Sequence, residues 1–304
     1  MLEVDKLHFR SNGKLLITSE YLVLDGAEAL ALPTKKGQTL TVKKVGGNSI
    51  FWKSFTVDGL VWFECELDNN FEIITSSDSK IANTLTIFLK VSAMMNPNFL
   101  AEAIGTEVET HLEFDQTWGL GSSSTLISNI AQWAKVDPFL LQQETFPGSG
   151  YDIACALSKS PIVYRIFEKE VSYMTTHFRP SFSDEIFFVH LNKKQNSRDG
   201  IKKYKESKAD ISMSVELASD FTDEFVRCKE VKEFRALMAQ HESFISEIIG
   251  EIAVKQKLFP DYKGSIKSLG AWGGDFIMAV GANTKMYFKK KGYDTIIPFK
   301  EMIL

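Results

Sequence analysis

Gly119-Leu120-Gly121-Ser122-Ser123-Ser124, followed after a helical stretch by Gly148-Ser149-Gly150-Tyr151-Asp152, is the part of the chain whose reading decides its fold. Glycines let a backbone approach an anion closely and take φ > 0 at little cost. Ser122, Ser123 and Ser124 suit the start of a helix, where their oxygens can satisfy N–H groups that lack intrahelical partners. Leu126, Ile130, Trp133 and Ala134 follow at helical spacing and form the expected buried stripe. Free N–H groups at the positive end of a helix dipole make a phosphate site. No Gly-Lys-Ser/Thr follows the glycines, so this is not the common P-loop. The plain alternative is a capped helix after a tight turn.

Asp137-Pro138 reads as an N-cap and first helical residue of a second helix through Glu144, stopped by Pro147-Gly148. Asp152 then ends a Gly-Ser-Gly turn ahead of the small apolar run Ile153 to Leu157. A lone Asp after glycines is commonly a turn former. Beside a phosphate loop, however, an acid is unfavourable without a cation or a transferable proton. A base or a magnesium partner is what phosphoryl transfer needs there.

Outward from this centre, Gly105 to Phe114 alternates as a strand that feeds the glycine loop, the context a phosphate loop requires. His8-Phe9-Arg10 reads as a short strand and Ser11-Asn12-Gly13 as a turn. Lys14 to Leu24 and Ala29 to Leu32 read as a buried hairpin across Asp25-Gly26, ended by Pro33. Lys14 either snorkels at the start of that hairpin or offers a cation to the phosphate site, with Glu20 directed into the same cleft. Ile50–Val57 and Leu60–Leu67 pair across Asp58-Gly59, and Ser79 to Ala93 is a helix broken at Asn96-Pro97-Asn98. Pro161 to Ile166 and Ile186 to Leu191 are strands. The polar run Asn192 to Asp199 is a solvated loop or an acceptor-binding segment, with Lys194, Ser197 and Arg198 as candidates. Ile201 to about Cys228 gives one or two helices, and Val231 to Ile249 is a clear amphipathic one. Lys267-Ser268-Leu269-Gly270-Ala271-Trp272-Gly273-Gly274-Asp275 is a further glycine turn, before the strand Phe276 to Val280. Its backbone N–H groups could hold an anion.

Four ordered stretches then resemble one family. Gly119 to Ser123 is similar to the central motif of the GHMP kinases, and Gly148 to Ala154 to the aspartate motif of their mevalonate and phosphomevalonate branch. Gly13 to Tyr21 resembles the first motif, with Ser19 where the family usually has Gly. Lys267 to Asp275 resembles the third, with Trp272 in place of a glycine and Leu269 in place of a hydroxyl residue. Residues 8 to 282 are covered. The resemblance implies an α+β, two-domain GHMP kinase fold. Residues 1–166 would be a ribosomal-S5-like ATP-binding domain and 167–304 a ferredoxin-like domain.

It also implies ATP and Mg²⁺ as cofactors and a small-molecule acceptor, mevalonate- or phosphomevalonate-like, in isoprenoid biosynthesis. The nucleotide phosphates would lie on Gly119, Leu120, Gly121, Ser122, Ser123 and Ser124, and the metal on Ser122 or Ser123 and Glu144. Asp152 and Lys14 would be catalytic, Asp152 handling the acceptor's proton and Lys14 depressing its pKa and offsetting charge. Glu20, Ser149, Ser197, Gly270, Ala271, Trp272, Gly273 and Asp275 would contact the acceptor. The Trp272 ring could stack on a substrate or block the usual one.

Composition bounds the alternatives. The 304 residues allow one large or two moderate domains, at 44% hydrophobic and 24% charged residues. A net charge of −4 gives no general attraction to nucleic acid or anionic lipid, which disfavours a nucleic-acid-binding module. Three cysteines, at 65, 155 and 228, have no metal spacing, and their odd number fits a reducing compartment. No apolar run is long enough to span a bilayer, and Met1 to Lys6 lacks a signal peptide's apolar core, so a cytoplasmic protein is expected. The expected partners are a small-molecule acceptor and at most a second copy in a homodimer, with neither nucleic acid nor membrane. The five histidines show no triad or metal spacing. The rival to an enzyme is a non-catalytic nucleotide-binding sensor or regulatory homologue.

Overall fold

The structure, a computed structural model, describes residues 6–168, 170–193, 197–206, 211–270, 272 and 275–304. It divides into two compact units. One comprises the chain up to Gly13, Lys36–Gln116 and Leu120–Leu157; the other comprises Lys14–Lys35, Thr117–Gly119 and Ser158–Leu304. Neither is a single continuous stretch.

The chain begins with β1 (Lys6–Leu16) and β2 (Ala29–Lys44), then β3 (Ile50–Phe55), β4 (Val61–Leu67) and β5 (Ile73–Ser76). Helices α1 (Ser79–Met95) and α2 (Asn98–Ala103) precede β6 (Thr106–Leu112), and α3 (Ser122–Ala134), α4 (Pro138–Thr145) and α5 (Tyr151–Leu157) follow it. In the first unit the strand order is β5-β4-β3-β6-β2, with β1 also on β2. β3 and β6 run parallel, while β2–β6, β3–β4 and β4–β5 are antiparallel. β3 and β6 alternate buried and less buried positions, as strands with one covered face do. Leu40, Trp52, Phe63 and Val108 pack there with Phe88 of α1 and with Ile127, Ile130 and Trp133 of α3. Asp78 caps α1 by accepting from Lys80 N and Ile81 N.

The second unit continues with β7 (Ile162–Phe167), β8 (Glu170–Thr175) and β9 (Ile186–His190), then α6 (Ser197–Glu206), α7 (Ser212–Arg227), α8 (Val231–Ile249) and α9 (Val254–Leu258). It ends with β10 (Ser265–Ser268), β11 (Phe276–Val280), α10 (Thr284–Lys290), β12 (Ile296–Pro298) and α11 (Phe299–Met302). Its four-stranded sheet runs β10-β11-β9-β12. β11 is buried at all five positions, which accounts for its unbroken apolar sequence.

Two local expectations fail. Ser11-Asn12-Gly13 is no turn, because β1 is continuous from Lys6 to Leu16. Ser11 is fully buried, with Oγ 2.8 Å from both Ser128 Oγ and Asn129 Oδ1, so tertiary bonding overrides the turn propensity of Asn-Gly. Nor do residues 14–32 form a two-residue hairpin. Leu22–Asp25 is a 3-10 turn closed by Gly26 at φ 97°, and β2 runs through Pro33 to Lys44. The expected helices over 79–93, 122–134, 138–144 and 231–249 are all present. β8 was not anticipated, since all six of its residues are exposed and leave no burial pattern.

Candidate functional site

In the first unit the glycine loop opens α3 as its sequence suggests, with one correction. Gly121 sits at φ 91° as the N-cap residue, and no side chain caps the helix. The serines do not serve as caps. Ser124 is buried and its Oγ donates back to Gly121 O at 3.0 Å. Thr125 Oγ1 lies 2.7 Å from Gln38 Oε1. Ser123 is exposed and Ser122 half-buried. With glycine as N-cap, no cap side chain takes the first amides of α3, the condition for an anion to take them.

Asp152 stands half-buried in the first turn of α5, entered through Gly150 at φ 86°. Its Oδ1 accepts from Gln142 Nε2 at 3.0 Å and from Ile153 N at 3.1 Å. Gln142 is buried on α4, the helix capped by Asp137, which accepts from Phe139 N and Leu140 N. The second residue of the aspartate motif, Ser149, is half-buried, and Glu144 is exposed on α4. Among the described residues no group of three His, Cys, Asp or Glu side chains could hold a metal.

In the second unit Lys14 is half-buried near the end of β1. Gly119 has φ 64°, and a Cβ there would lie 2.3 Å from Asp275 Oδ2, so any other residue strains the backbone and requires that carboxylate to shift. Asp275 N donates to Lys193 O at 2.7 Å and Leu191 N to Asp275 O at 2.8 Å. The end of the third glycine stretch is thereby tied to the residues after β9. Ala271, Gly273, Gly274 and Lys194 lie outside the described residues, as do the side chains of Ser197 and Arg198 at the start of α6. Gly270 takes φ 63°. Trp272 is 5% exposed, packed in a cluster with Tyr21, Leu22, Ala27, Tyr204, Ala218 and Ile245. Its ring is used by the protein's own core rather than offered for stacking.

Glu20 departs furthest from expectation. It is 1% exposed and its carboxylate Oε1 accepts from Lys267 Nζ, itself wholly buried. Glu20 is therefore held by a lysine of its own chain and is not open to an acceptor. Burial pushes its pKa up to about 7, against the opposing pull of Lys267. His241 is also wholly buried, and its Nε2 accepts from Ser19 N at 3.1 Å. Burial first, then Lys267, holds its pKa well below the usual histidine value. Glu242 accepts from Ser268 N at 2.8 Å and Ser268 Oγ at 2.7 Å, and burial raises its pKa as well. The sequence did carry a signal for this cluster. On α8 the apolar stripe Phe234, Leu237, Met238, Phe244, Ile245 has His241 at its next helical step. A polar residue on a buried stripe calls for a buried partner.

By sequence alone the chain matches no protein-family model and no curated relative. Solved structures do match over nearly the full length. A Listeria innocua protein, Lin0012, superposes with TM-score 0.72 at 15% identity, covering 97% of each chain. Methanococcus jannaschii mevalonate kinase gives 0.68 at 14%, covering 94% of each. Streptococcus pneumoniae phosphomevalonate kinase, in complex with phosphomevalonate and AMPPNP, gives 0.68 at 14%, covering 94% of this chain and 95% of that one. The fold is that of the GHMP kinases. Ser19 and Trp272 stand where the motif resemblance expects glycine. Ser19 has φ 63° and Trp272 φ 49°, so both keep the left-handed backbone that glycine adopts freely, at a cost of about 1–2 kcal/mol each. Ser19 is held there by its N–H bond to His241 and by Oγ donating to Glu28 O at 2.5 Å. Among the described residues no helix is long and apolar enough to cross a membrane.

Proposed function

We propose that the chain is an ATP-dependent small-molecule kinase, transferring a γ-phosphoryl group to a hydroxyl or phosphate acceptor. The observation that carries this reading is the N-terminus of α3, opened by a left-handed glycine and capped by no side chain. Its amides suit the nucleotide's phosphates. Ser122 or Ser123 with Glu144 would hold Mg²⁺. One hydroxyl and one carboxylate are oxygen donors of the kind magnesium takes, the rest of its shell coming from phosphate and water. The metal would neutralise charge on the phosphates.

With a hydroxyl acceptor, its oxygen attacks the γ-phosphorus, the bond to the β-phosphate oxygen breaks, and the hydroxyl proton passes to Asp152. Gln142 and the Ile153 amide occupy Oδ1, which fixes the carboxylate's orientation and leaves Oδ2 for the proton. Lys14 would stabilise charge on the transferring group. With a phosphate acceptor no base is needed, and positioning and charge do the work. Mevalonate- or phosphomevalonate-like acceptors are favoured by the likeness to a mevalonate and a phosphomevalonate kinase and by Gly-Ser-Gly-Tyr-Asp, although the fold serves several acceptors. The three free cysteines suit a reducing compartment, and we place the protein in the cytoplasm.

The test is ADP release by purified protein with Mg-ATP and a panel of mevalonate, phosphomevalonate, homoserine and simple sugars, with Asp152→Ala as control. Acceptor-dependent ADP from the wild type alone is expected. ATP binding with no turnover on a broad acceptor panel would favour the nucleotide-sensor reading, for which the buried Trp272 ring in the third loop is the specific motive.

A further inference from the structure

Among the described residues Glu20 has one cationic partner, in a wholly buried setting, and the geometry around it is specific. Lys267 Nζ bonds Glu20 Oε1 and also donates to Ser268 O at 3.1 Å. Glu242 takes Ser268 N and Oγ from the other side. The backbone at Ser268 is thus gripped at both its N–H and its carbonyl, two residues before Gly270. At its other end the pair holds a strained segment. Ser19 and Tyr21, on either side of Glu20, have φ 63° and 67°. His241 Nε2 lies 3.7 Å from Glu20 Oε2, but it already accepts from Ser19 N, so the ring is neutral with its proton on Nδ1. It offers Glu20 no charge. Glu20 Oε2 and His241 Nδ1 have no hydrogen-bond partner among the described residues. Among the described residues the titratable groups around Glu20 are Lys267 from β10 and His241 and Glu242 from α8, and of these Lys267 alone is a cation.

We propose that Glu20 is a positioning residue, whose ion pair with Lys267 sets the backbone at Ser268 and so the entry of the third glycine loop. This deepens the kinase reading and rests on it for the loop's role, but not for the ordering itself. In this proposal the pair serves uniqueness of conformation, since a buried ion pair seldom repays the desolvation of its charges. Because burial raises Glu20 to a pKa of about 7, the pair is made in alkali and lost as the carboxylate takes a proton.

The experiment is amide hydrogen exchange over Leu269–Phe276 and at Ser268, corrected for intrinsic rate, in wild type, Glu20→Gln, Lys267→Met and the double variant. ADP formation is measured on the same samples. At pH 8 each single variant is expected to exchange at least ten-fold faster at Ser268 to Gly270, with the amides of β9 still protected. The double variant should be no faster than either single. Lowering the pH through about 7 should bring wild type to the Glu20→Gln rate, while the variant shows no such step. Wild-type exchange in both singles, effects that add in the double, or a pH step that survives Glu20→Gln would each overturn the proposal. If a single variant fails to fold, the neutral double carries the same exchange prediction. Loosened exchange with no acceptor-dependent ADP from wild type would sink the kinase reading and leave the positioning role. Normal exchange in variants of an active kinase would do the reverse.

Discussion

Asp152 and Glu20 are both acids set beside a glycine turn or a left-handed backbone, and both were expected to face a ligand. Their surroundings differ. Asp152 is half-buried, with one oxygen held by neutral donors, Gln142 and the Ile153 amide. Among the described residues no cation pairs with it, and its two hydrogen bonds both fall on Oδ1. Glu20 is 1% exposed and bound to Lys267. An acid held by neutral donors on a short helix can act on a substrate. An acid paired with a buried lysine is already committed to structure. The contrast extends to the two glycine stretches. That of Gly119 to Ser124 leaves a helix end without a cap. That of Gly270 to Asp275 fills its middle with the buried Trp272 ring.

The contrast can be broken most severely at Lys267. Lys267→Met leaves the Glu20 carboxylate buried without its counter-charge and should cost about 3–5 kcal/mol. Glu20→Gln combined with Lys267→Met should cost less than Lys267→Met alone. Urea unfolding of the three proteins checks this, and a double variant as unstable as the sum of the singles would count against a pair.

Asp152→Asn should leave the urea midpoint near wild type, since Asn can still accept from Gln142. It should slow acceptor-dependent ADP release by about 10²-fold or more if the acceptor is a hydroxyl. Near-normal turnover would remove Asp152 from the mechanism.

A third test uses acid. Glu20's folded pKa, about 7, stands above its ordinary 4.5. The folded state therefore binds the proton more tightly, and the associated stability is full below pH 4.5 and lost as pH rises through about 7. Relative to Glu20→Gln, wild type should gain on the order of 3 kcal/mol between pH 8 and pH 4.5. Stability then rises with acid while the third loop loosens. Parallel pH dependence of the two proteins would show that Glu20 does not titrate there.

Gly119→Ala should destabilise by about 1–2 kcal/mol through its left-handed φ alone, and more if Asp275 cannot move from the 2.3 Å approach. Asp137→Ala should cost about 1 kcal/mol through loss of the α4 cap. Thermal melts rank the two, and a larger loss at Asp137 would reverse the order expected.

What the sequence determined by itself is what local periodicity and caps encode. The helices expected over 79–93, 122–134, 138–144 and 231–249 were legible from apolar positions at helical spacing and, for the third, from Asp137-Pro138 at its start and Pro147-Gly148 after its end; the Asp78 cap of α1 was not read. The hairpin of β3 and β4 followed from alternation around Asp58-Gly59. The order of the glycine motifs pointed to the fold that the solved structures share. Only the tertiary structure decided what those motifs' side chains do. Ser124 turns its hydroxyl back to Gly121 O, β1 runs straight through Asn12-Gly13, and Trp272 enters the core. Lys267, 247 residues away in sequence, closes on Glu20. Hydrogen-bond and charge partners distant in the chain leave no periodic trace. Burial, which decides whether an acid is a ligand or a strut, is a property of the packed chain and not of spacing.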